Sequence, residues 1–388
     1  MASKAYLHEL KAAVIGTGFI GPIHVEALRR IGVPVVGILD ATVEQSEMAA
    51  TQLGIPRVYK DLNELLDDDE IDSVHIATPN RFHFEHASAC LKAGKHTLCE
   101  KPLAMNSDES AKLVALAESA GVCAGVNYNL RYYPLCVESA DRVRKGRVGA
   151  LHHVSGGYVQ DWLFKETDFN WRVLASEGGE LRAVADIGTH WLDLIQFITG
   201  QEIVSVCADL HTVFPTRQRP IGATETFSGK QITPDNTESV AIDTEDAGNV
   251  MLRFENGARG VMTVSQVTAG RKNCLRFELA GSKQALAFNS ESPNELWIGH
   301  RDEPNEVLIR DPALMSTPAS NVTSYPGGHN EGFPDAFKQI FLDFYGQILL
   351  GEDAGEATFP SFADGHREIV LCEAILESHR KQAWVSLS

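Results

Sequence analysis

The chain has 388 residues, too long for one ordinary core and suited to two domains of roughly 100 to 200 residues each. Its 44% hydrophobic and 22% charged residues, with 32 Gly and 16 Pro and no Gly-X-Y tract, exclude disulfide miniproteins and fibrous repeats. Thirty-four basic against 52 acidic residues give a formal charge of −18, which repels phosphate backbones and anionic lipid and argues against nucleic acid or membrane as partner.

The segment Met1 to Leu10 carries Lys4, His8 and Glu9 and no apolar core, so it does not read as a secretory signal. Apolar runs such as Val33 to Leu39 fall far short of the roughly 20 residues that cross a bilayer, and the expected compartment is the cytoplasm. Seven cysteines form an odd set without Cys-x-x-Cys spacing, so free buried thiols are expected and no metal site.

In the first third, short apolar runs at Ala12 to Ile15, Val33 to Leu39, Val74 to Ala77, His96 to Cys99 and Val122 to Val126 alternate with helical patterns such as Ala87/Cys90/Leu91. That alternation predicts an α/β domain with a parallel sheet, over residues 1–130. After Asn129, strand-like stretches dominate: His152 to Gln160, Ile203 to Val213, Val240 to Phe254, Ala258 to Gln266 and Leu275 to Leu279. Turn signals such as Asn256-Gly257 separate them, predicting an α+β domain over 131–388 with a large, open, mostly antiparallel sheet. Helices are expected over Asp186 to Thr199, Asp335 to Leu350 and Ala363 to Lys381, and a surface loop over Gln218 to Asn236.

Gly16-Thr17-Gly18-Phe19-Ile20-Gly21 directly follows the first apolar run and precedes a helical pattern. In that context Gly-x-Gly-x-x-Gly is a dinucleotide fingerprint. The first Gly permits the turn, the second admits a pyrophosphate, the third lets helix pack on strand, and the helix N-terminus faces the phosphates. Asp40 ends the second strand, where a carboxylate accepts hydrogen bonds from an adenosine ribose and repels a 2′-phosphate, favouring NAD over NADP. Ala77-Thr78-Pro79-Asn80 and Cys99-Glu100-Lys101-Pro102 close the next two strands, where ligands of open α/β sheets gather.

With these pieces and Asp186-Ile187-Gly188-Thr189-His190, the chain resembles the Gfo/Idh/MocA oxidoreductase family over essentially its whole length. The resemblance implies that Lys101 hydrogen-bonds the reacting hydroxyl beside a nicotinamide, after a cis Lys101-Pro102 peptide. A lysine ammonium there favours the alkoxide-like state during hydride loss. Asp186 and His190, four residues apart, would share one face of a helix beginning at Asp186. Histidine titrates near neutrality and suits proton transfer, while a carboxylate one turn earlier can hold a sugar hydroxyl.

Tyr158-Val159-Gln160-Asp161-Trp162 and Asn170-Trp171-Arg172 join hydrogen-bonding groups to aromatic rings, as a polyhydroxylated ring requires. They look like the family branch of levoglucosan and inositol dehydrogenases, which implies Tyr158, Gln160 and Trp162 at the sugar and Trp171 and Arg172 near the nicotinamide. Asn129 and Arg131 are candidate carboxamide or substrate contacts. His329, ahead of the helix from Asp335, could reach the substrate, and His83 and the Glu100 neighbour of Lys101 could touch cofactor. His24 and His86 read as packed or surface residues.

The expected activity is an NAD-dependent dehydrogenase of a pyranoside or cyclitol. The alternatives are an NAD-dependent glycosidase acting by transient oxidation, or a non-catalytic dinucleotide sensor. The open sheet of the second domain needs a cover, so a homodimer or homotetramer is expected.

Overall fold

The protein is described here by a computed structural model covering residues 5–221, 237–351 and 355–387. It divides into two compact units, Met1–Asn129 with Phe337–Ile369, and Leu130–Ala336 with Val370–Ser388.

In the first unit six parallel strands, β1 Ala12–Ile15, β2 Val35–Leu39, β3 Arg57–Val58, β4 Ser73–Ile76, β5 His96–Cys99 and β6 Ala124–Val126, lie in the order β3-β2-β1-β4-β5-β6. The order reverses between β1 and β4, the switch point where such sheets open a ligand crevice. The helices are α1 Ile20–Ile31, α2 Val43–Leu53, α3 Leu62–Leu66, α4 His83–Lys92 and α5 Ser107–Ala120. Ala87, Cys90 and Leu91 of α4 and Leu113 of α5 pack with Val74, Ile76 and Cys99 of the strands. The short strand β3 escaped the sequence reading because two residues carry no periodicity.

In the second unit the helices α6 Pro134–Arg144, α7 Ala175–Gly178, α8 Thr189–Thr199 and α9 Thr317–Asn321 accompany eleven strands among the described residues. These are β7 Leu151–Val159, β8 Ile203–His211, β9 Thr216–Pro220, β10 Thr237–Ala241, β11 Ala247–Phe254, β12 Arg259–Ser265, β13 Cys274–Gly281, β14 Ala285–Asn289, β15 Glu295–Gly299, β16 Glu306–Ile309 and β17 Val385–Ser386. Nine of them form one mixed sheet, β16-β15-β14-β13-β7-β12-β11-β8-β17, antiparallel except for the β7/β12 pair. Strand β11 alternates strictly, with Val250, Leu252 and Phe254 in the core and Met251 exposed on the other face. The expected single strand Val240 to Phe254 is two, β10 and β11, because Thr244, Glu245 and Asp246 turn the chain between them. Gln218 to Pro220 lie in β9 rather than a loop, and the rest of that expected loop, 222–236, lies outside the described residues.

The last two helices are α10 Phe333–Leu350 and α11 Phe362–Lys381. Sequence assigned everything past residue 130 to the second domain, whereas Phe337–Ile369 belongs to the first unit. The cause is the aromatic face of α10: Phe341 meets His24 and His75 edge-on or tilted, and the Tyr345 hydroxyl bonds Ser73 of β4 at 2.6 Å. No described helix is long and apolar enough to cross a membrane. Of the seven free cysteines, burial pushes the Cys90 thiol up to about 12 and Cys123 up to about 11.

Candidate active site

The nucleotide half is built where β1 ends. Gly16 has φ +91°, and a Cβ on it would stand 2.6 Å from the Ala77 carbonyl oxygen, so only glycine lets the loops after β1 and β4 meet. A Cβ on Gly21 would stand 2.1 Å from the Gly16 carbonyl oxygen, the close approach that brings α1 onto the loop. Gly18 faces open space, as an approach for phosphate requires, and α1, with Phe19 at its N-cap and Ile20 as its first residue, has no side-chain cap on its amides. Asp40 is pinned beside this loop: Oδ2 accepts from the Thr17 amide at 2.7 Å and from the Thr17 hydroxyl, and Oδ1 from the Ala41 amide at 2.6 Å.

Thr78, Pro79 and Asn80 follow β4, and Asn80 opens a short 3-10 turn into α4. The buried His83 ring lies between the carbonyl oxygens of Pro102, 2.7 Å from Nδ1, and Thr78, 2.9 Å from Nε2. Burial lowers its pKa against the pull of these two carbonyls. Both ring nitrogens face carbonyl oxygens of the same unit, and the neutral ring donates its single N–H to one of them, so His83, expected as a residue that could touch cofactor, lies between the loops after β4 and β5. The Lys101-Pro102 peptide is cis, as the resemblance implied.

Behind Lys101 lies a buried polar chain that sequence reading missed. Glu100 Oε2 accepts from the Lys101 amide at 3.2 Å, and Oε1 accepts from Asn127 Nδ2 at 2.5 Å and His24 Nε2 at 3.0 Å. His24 Nδ1 stands 2.9 Å from His75 Nδ1, and His75 Nε2 stands 2.9 Å from the Tyr345 hydroxyl. Burial pushes the Glu100 carboxyl up, but the His24 hydrogen bond and charge, the Lys101 charge and the Asn127 amide outweigh it and bring it to about 2. Burial and the His24 charge hold His75 well below the usual histidine range, so it is neutral. His24, expected as mere packing, thus orients the carboxylate beside Lys101.

The sites fit a nicotinamide dinucleotide by a second observation. Asn127 Oδ1 and Asn129 Nδ2 are buried and find no partner among the described residues, one acceptor and one donor, the complement of a primary carboxamide.

The second unit carries the residues expected at the substrate. Asp186 was expected to open an α-helix; instead it lies in a π-type turn, Val184–Gly188, that runs into α8. The wider turn arises because the buried Glu245 carboxylate accepts from the amides of Arg182 and Val184, both 2.8 to 3.0 Å away, gripping the chain ahead of Asp186. Such turns recur at functional sites. Asp186 Oδ2 accepts from Gln266 Nε2 at 2.8 Å, and Arg172 Nε lies 3.5 Å from Oδ1. Arg172 stacks over Trp171, 4.5 Å from the ring centroid. His190, buried on α8, has its ring 6.1 Å from that of Tyr158. Tyr158 Oη and Gln160 Nε2 both donate to Asn273 Oδ1, at 2.6 and 2.7 Å. Trp162 follows at the end of β7, half-buried.

Two further expected residues have the following surroundings. Arg131 pairs with Asp193, its Nε 2.8 Å from Oδ2, and lies over Phe197, which ties it to α8. His329 is exposed in a turn whose carbonyl accepts from the buried Arg310. Gln266, just after β12, and Asn273, just before β13, were missed because single polar residues at strand ends carry no pattern.

Residues 10–128 match the family model of the Gfo/Idh/MocA oxidoreductases with NAD-binding Rossmann fold, and residues 137–287 match the C-terminal domain of the same family. The chain is 28% identical to levoglucosan dehydrogenase of Pseudarthrobacter phenanthrenivorans, covering 98% of this chain and 99% of that one. It is 28% identical to myo-inositol 2-dehydrogenase of Thermotoga maritima, over 71% of this chain and 73% of the relative. A solved levoglucosan dehydrogenase, in complex with NADH and L-sorbose, superposes with a TM-score of 0.87 at 29% identity, covering 98% and 99% of the two chains. Fingerprint, strand order and both domain matches agree: the chain belongs to the Gfo/Idh/MocA family of NAD-binding oxidoreductases.

Proposed function

We propose that the protein is an NAD-dependent dehydrogenase that moves hydride between a ring hydroxyl carbon of a pyranose, pyranoside or inositol and nicotinamide. The observation that carries the reading is the polar cluster of Asp186, Arg172, Gln160, Gln266 and His190 beside Tyr158 and Trp171, dense in hydrogen-bonding groups yet flanked by aromatic rings. The full-length likeness to levoglucosan dehydrogenase supports it.

The glycine loop from Gly16 to Gly21, Asp40 and the Asn127/Asn129 amides are the groups to hold the dinucleotide, which when bound supplies the hydride acceptor. Lys101 holds the reacting hydroxyl and favours its alkoxide character, while Glu100 and the histidines behind it keep that segment in place. His190 receives the hydroxyl proton, and Asp186 holds a neighbouring hydroxyl.

The test is a panel of neutral pyranosides and inositols incubated with NAD or NADP, read as absorbance of the reduced cofactor. Net reduction with catalytic efficiency higher for NAD is expected, because Asp40 repels a 2′-phosphate. Glycoside cleavage without net reduction would move the reading to the redox-assisted glycosidase, and tenfold higher efficiency with NADP would overturn the role of Asp40.

The reading includes self-association through the open sheet face, where Met251 and Val307 are exposed. Sedimentation should give a dimer or tetramer; a monomer at micromolar concentration would refute it.

A further inference from the structure

Gln266 lies just past β12, and Gln160 just past β7, on neighbouring parallel strands whose last paired residues are Ser265 and Val159. Their hydrogen-bonding capacity can be accounted for atom by atom. The Gln266 amide donates to the Asp246 carbonyl at 2.9 Å, its carbonyl accepts from Leu163 at 3.1 Å, and its Nε2 donates to Asp186. The Gln160 amide donates to the Ser265 carbonyl at 2.7 Å, its carbonyl accepts from Thr268 at 2.8 Å, and its Nε2 donates to Asn273. One atom of each remains: both Oε1 oxygens are buried without a partner among the described residues, on side chains only 1% exposed. The amide orientation of Gln266 is set by chemistry, since only the nitrogen can donate to a carboxylate. A third buried group without a partner, Arg172 Nη1, belongs to the same cluster through Asp186.

Leaving a buried polar atom unmade costs free energy, and two such acceptors at the ends of adjacent strands call for a ligand that brings two donors. Adjacent strands stand about 4.8 Å apart, a span that two hydroxyls on neighbouring ring carbons bridge. Two amide oxygens and the Asp186 carboxylate repel an anion, and the charge of Arg172 is already taken up by Asp186. We propose that the Gln160 and Gln266 side-chain oxygens form a diol reader, so that the substrate is a neutral ring with two free neighbouring hydroxyls and Gln266 is a specificity-determining residue. This rests on the dehydrogenase reading above and narrows its substrate class.

The experiment compares wild type, Gln266→Leu and Gln160→Leu on the parent sugar or cyclitol found by the panel and on its monodeoxy analogues, each checked for thermal melting and NADH affinity. Gln266→Leu should lower kcat/KM for the parent about ten- to a hundredfold, the scale of one unpaired buried polar group. On the analogue lacking the hydroxyl that Gln266 reads, the same substitution should change kcat/KM less than about threefold, with NADH affinity unchanged. Gln160→Leu, which keeps the Gln266 contact to Asp186, should show the same pattern with a different analogue. Equal losses on parent and all analogues would mean that Gln266 acts only by holding Asp186, and would overturn the proposal. No loss on any compound would mean that the oxygens serve water alone, and would overturn it as well. If wild type turns over no neutral ring but oxidises a sugar phosphate, the diol reader falls while the dehydrogenase stands. If it oxidises no sugar or cyclitol, both fall.

Discussion

Alanine in place of His190 or Lys101 should lower kcat by about two to four orders of magnitude with NAD still bound, the scale of one lost acid–base group. Oxidising an alcohol near neutral pH requires shedding a proton from a group whose pKa lies far above 7, and a positioned partner takes it in the transition state. His190 is buried on α8 beside Tyr158, whereas Lys101 stands on the loop after β5 with its backbone amide fixed by Glu100. Neither belongs to the glycine loop proposed to hold the dinucleotide phosphates, so NAD affinity should stay within a few-fold of wild type. The acidic limb of the pH–rate profile, which reports protonation of the accepting base, should flatten in at least one variant. Isothermal titration with NAD and steady-state rates across pH read both outcomes. If both variants keep kcat within about threefold of wild type, the catalytic assignment fails and the sensor reading replaces it.

Asp246→Ala should destabilise the second unit by about 3 to 5 kcal/mol, the cost of stranding a buried charge when its partner is removed. Asp246 is fully buried between two equally buried arginines: Arg182 Nη2 and Arg217 Nη2 both reach Oδ1, the latter at 2.6 Å, while Oδ2 accepts from the Phe214 amide at 2.9 Å. Burial pushes the Asp246 carboxyl up, but the arginine charges and the Phe214 amide outweigh it and hold the pKa below the ordinary value. Two cations would be left facing each other in its absence. Arg182 also leads into the π-type turn that carries Asp186, and the Asp246 carbonyl holds the Gln266 amide. The loss should therefore appear in substrate affinity even in molecules that remain folded. Calorimetry should show a lowered transition for this unit, and substrate KM should rise at temperatures below it. An unchanged melting profile would show that the cluster contributes nothing net.

Much of the first unit could be read from sequence because its signals are local. The turn at Gly16 needs positive φ whatever surrounds it, and strand and helix periods are set by each segment's own backbone geometry. That is why β1 and β5 were located to the residue, and why the Glu100-Lys101-Pro102 end of β5 and the fingerprint could be read together. Asp40 was legible for the same reason: strand length alone places it beside the glycine loop.

The remainder was decided by contacts between residues distant in the chain. His75 meets Tyr345 across 270 residues, and no pattern near either one announces the other. That pairing draws Phe337–Ile369 into the first unit and turns His24 from a packed histidine into the partner of Glu100. The spacing of Asp186 and His190 suggested one α-helical face, but Glu245, far along the chain, grips the preceding amides and the turn becomes π-type. Arg131 was read as a candidate carboxamide or substrate contact, and its ion pair with Asp193 on α8 could not be read from the sequence around it. Gln266 became visible only when the β7/β12 pairing set it beside Gln160. Sequence by itself determined the parallel sheet, the nucleotide loop and the family, because these follow from backbone conformation and period. Which side chains are left with an unfilled hydrogen bond, and therefore what the second unit can recognise, was decided by tertiary structure, because satisfaction of a buried polar atom depends on every neighbour the fold brings to it.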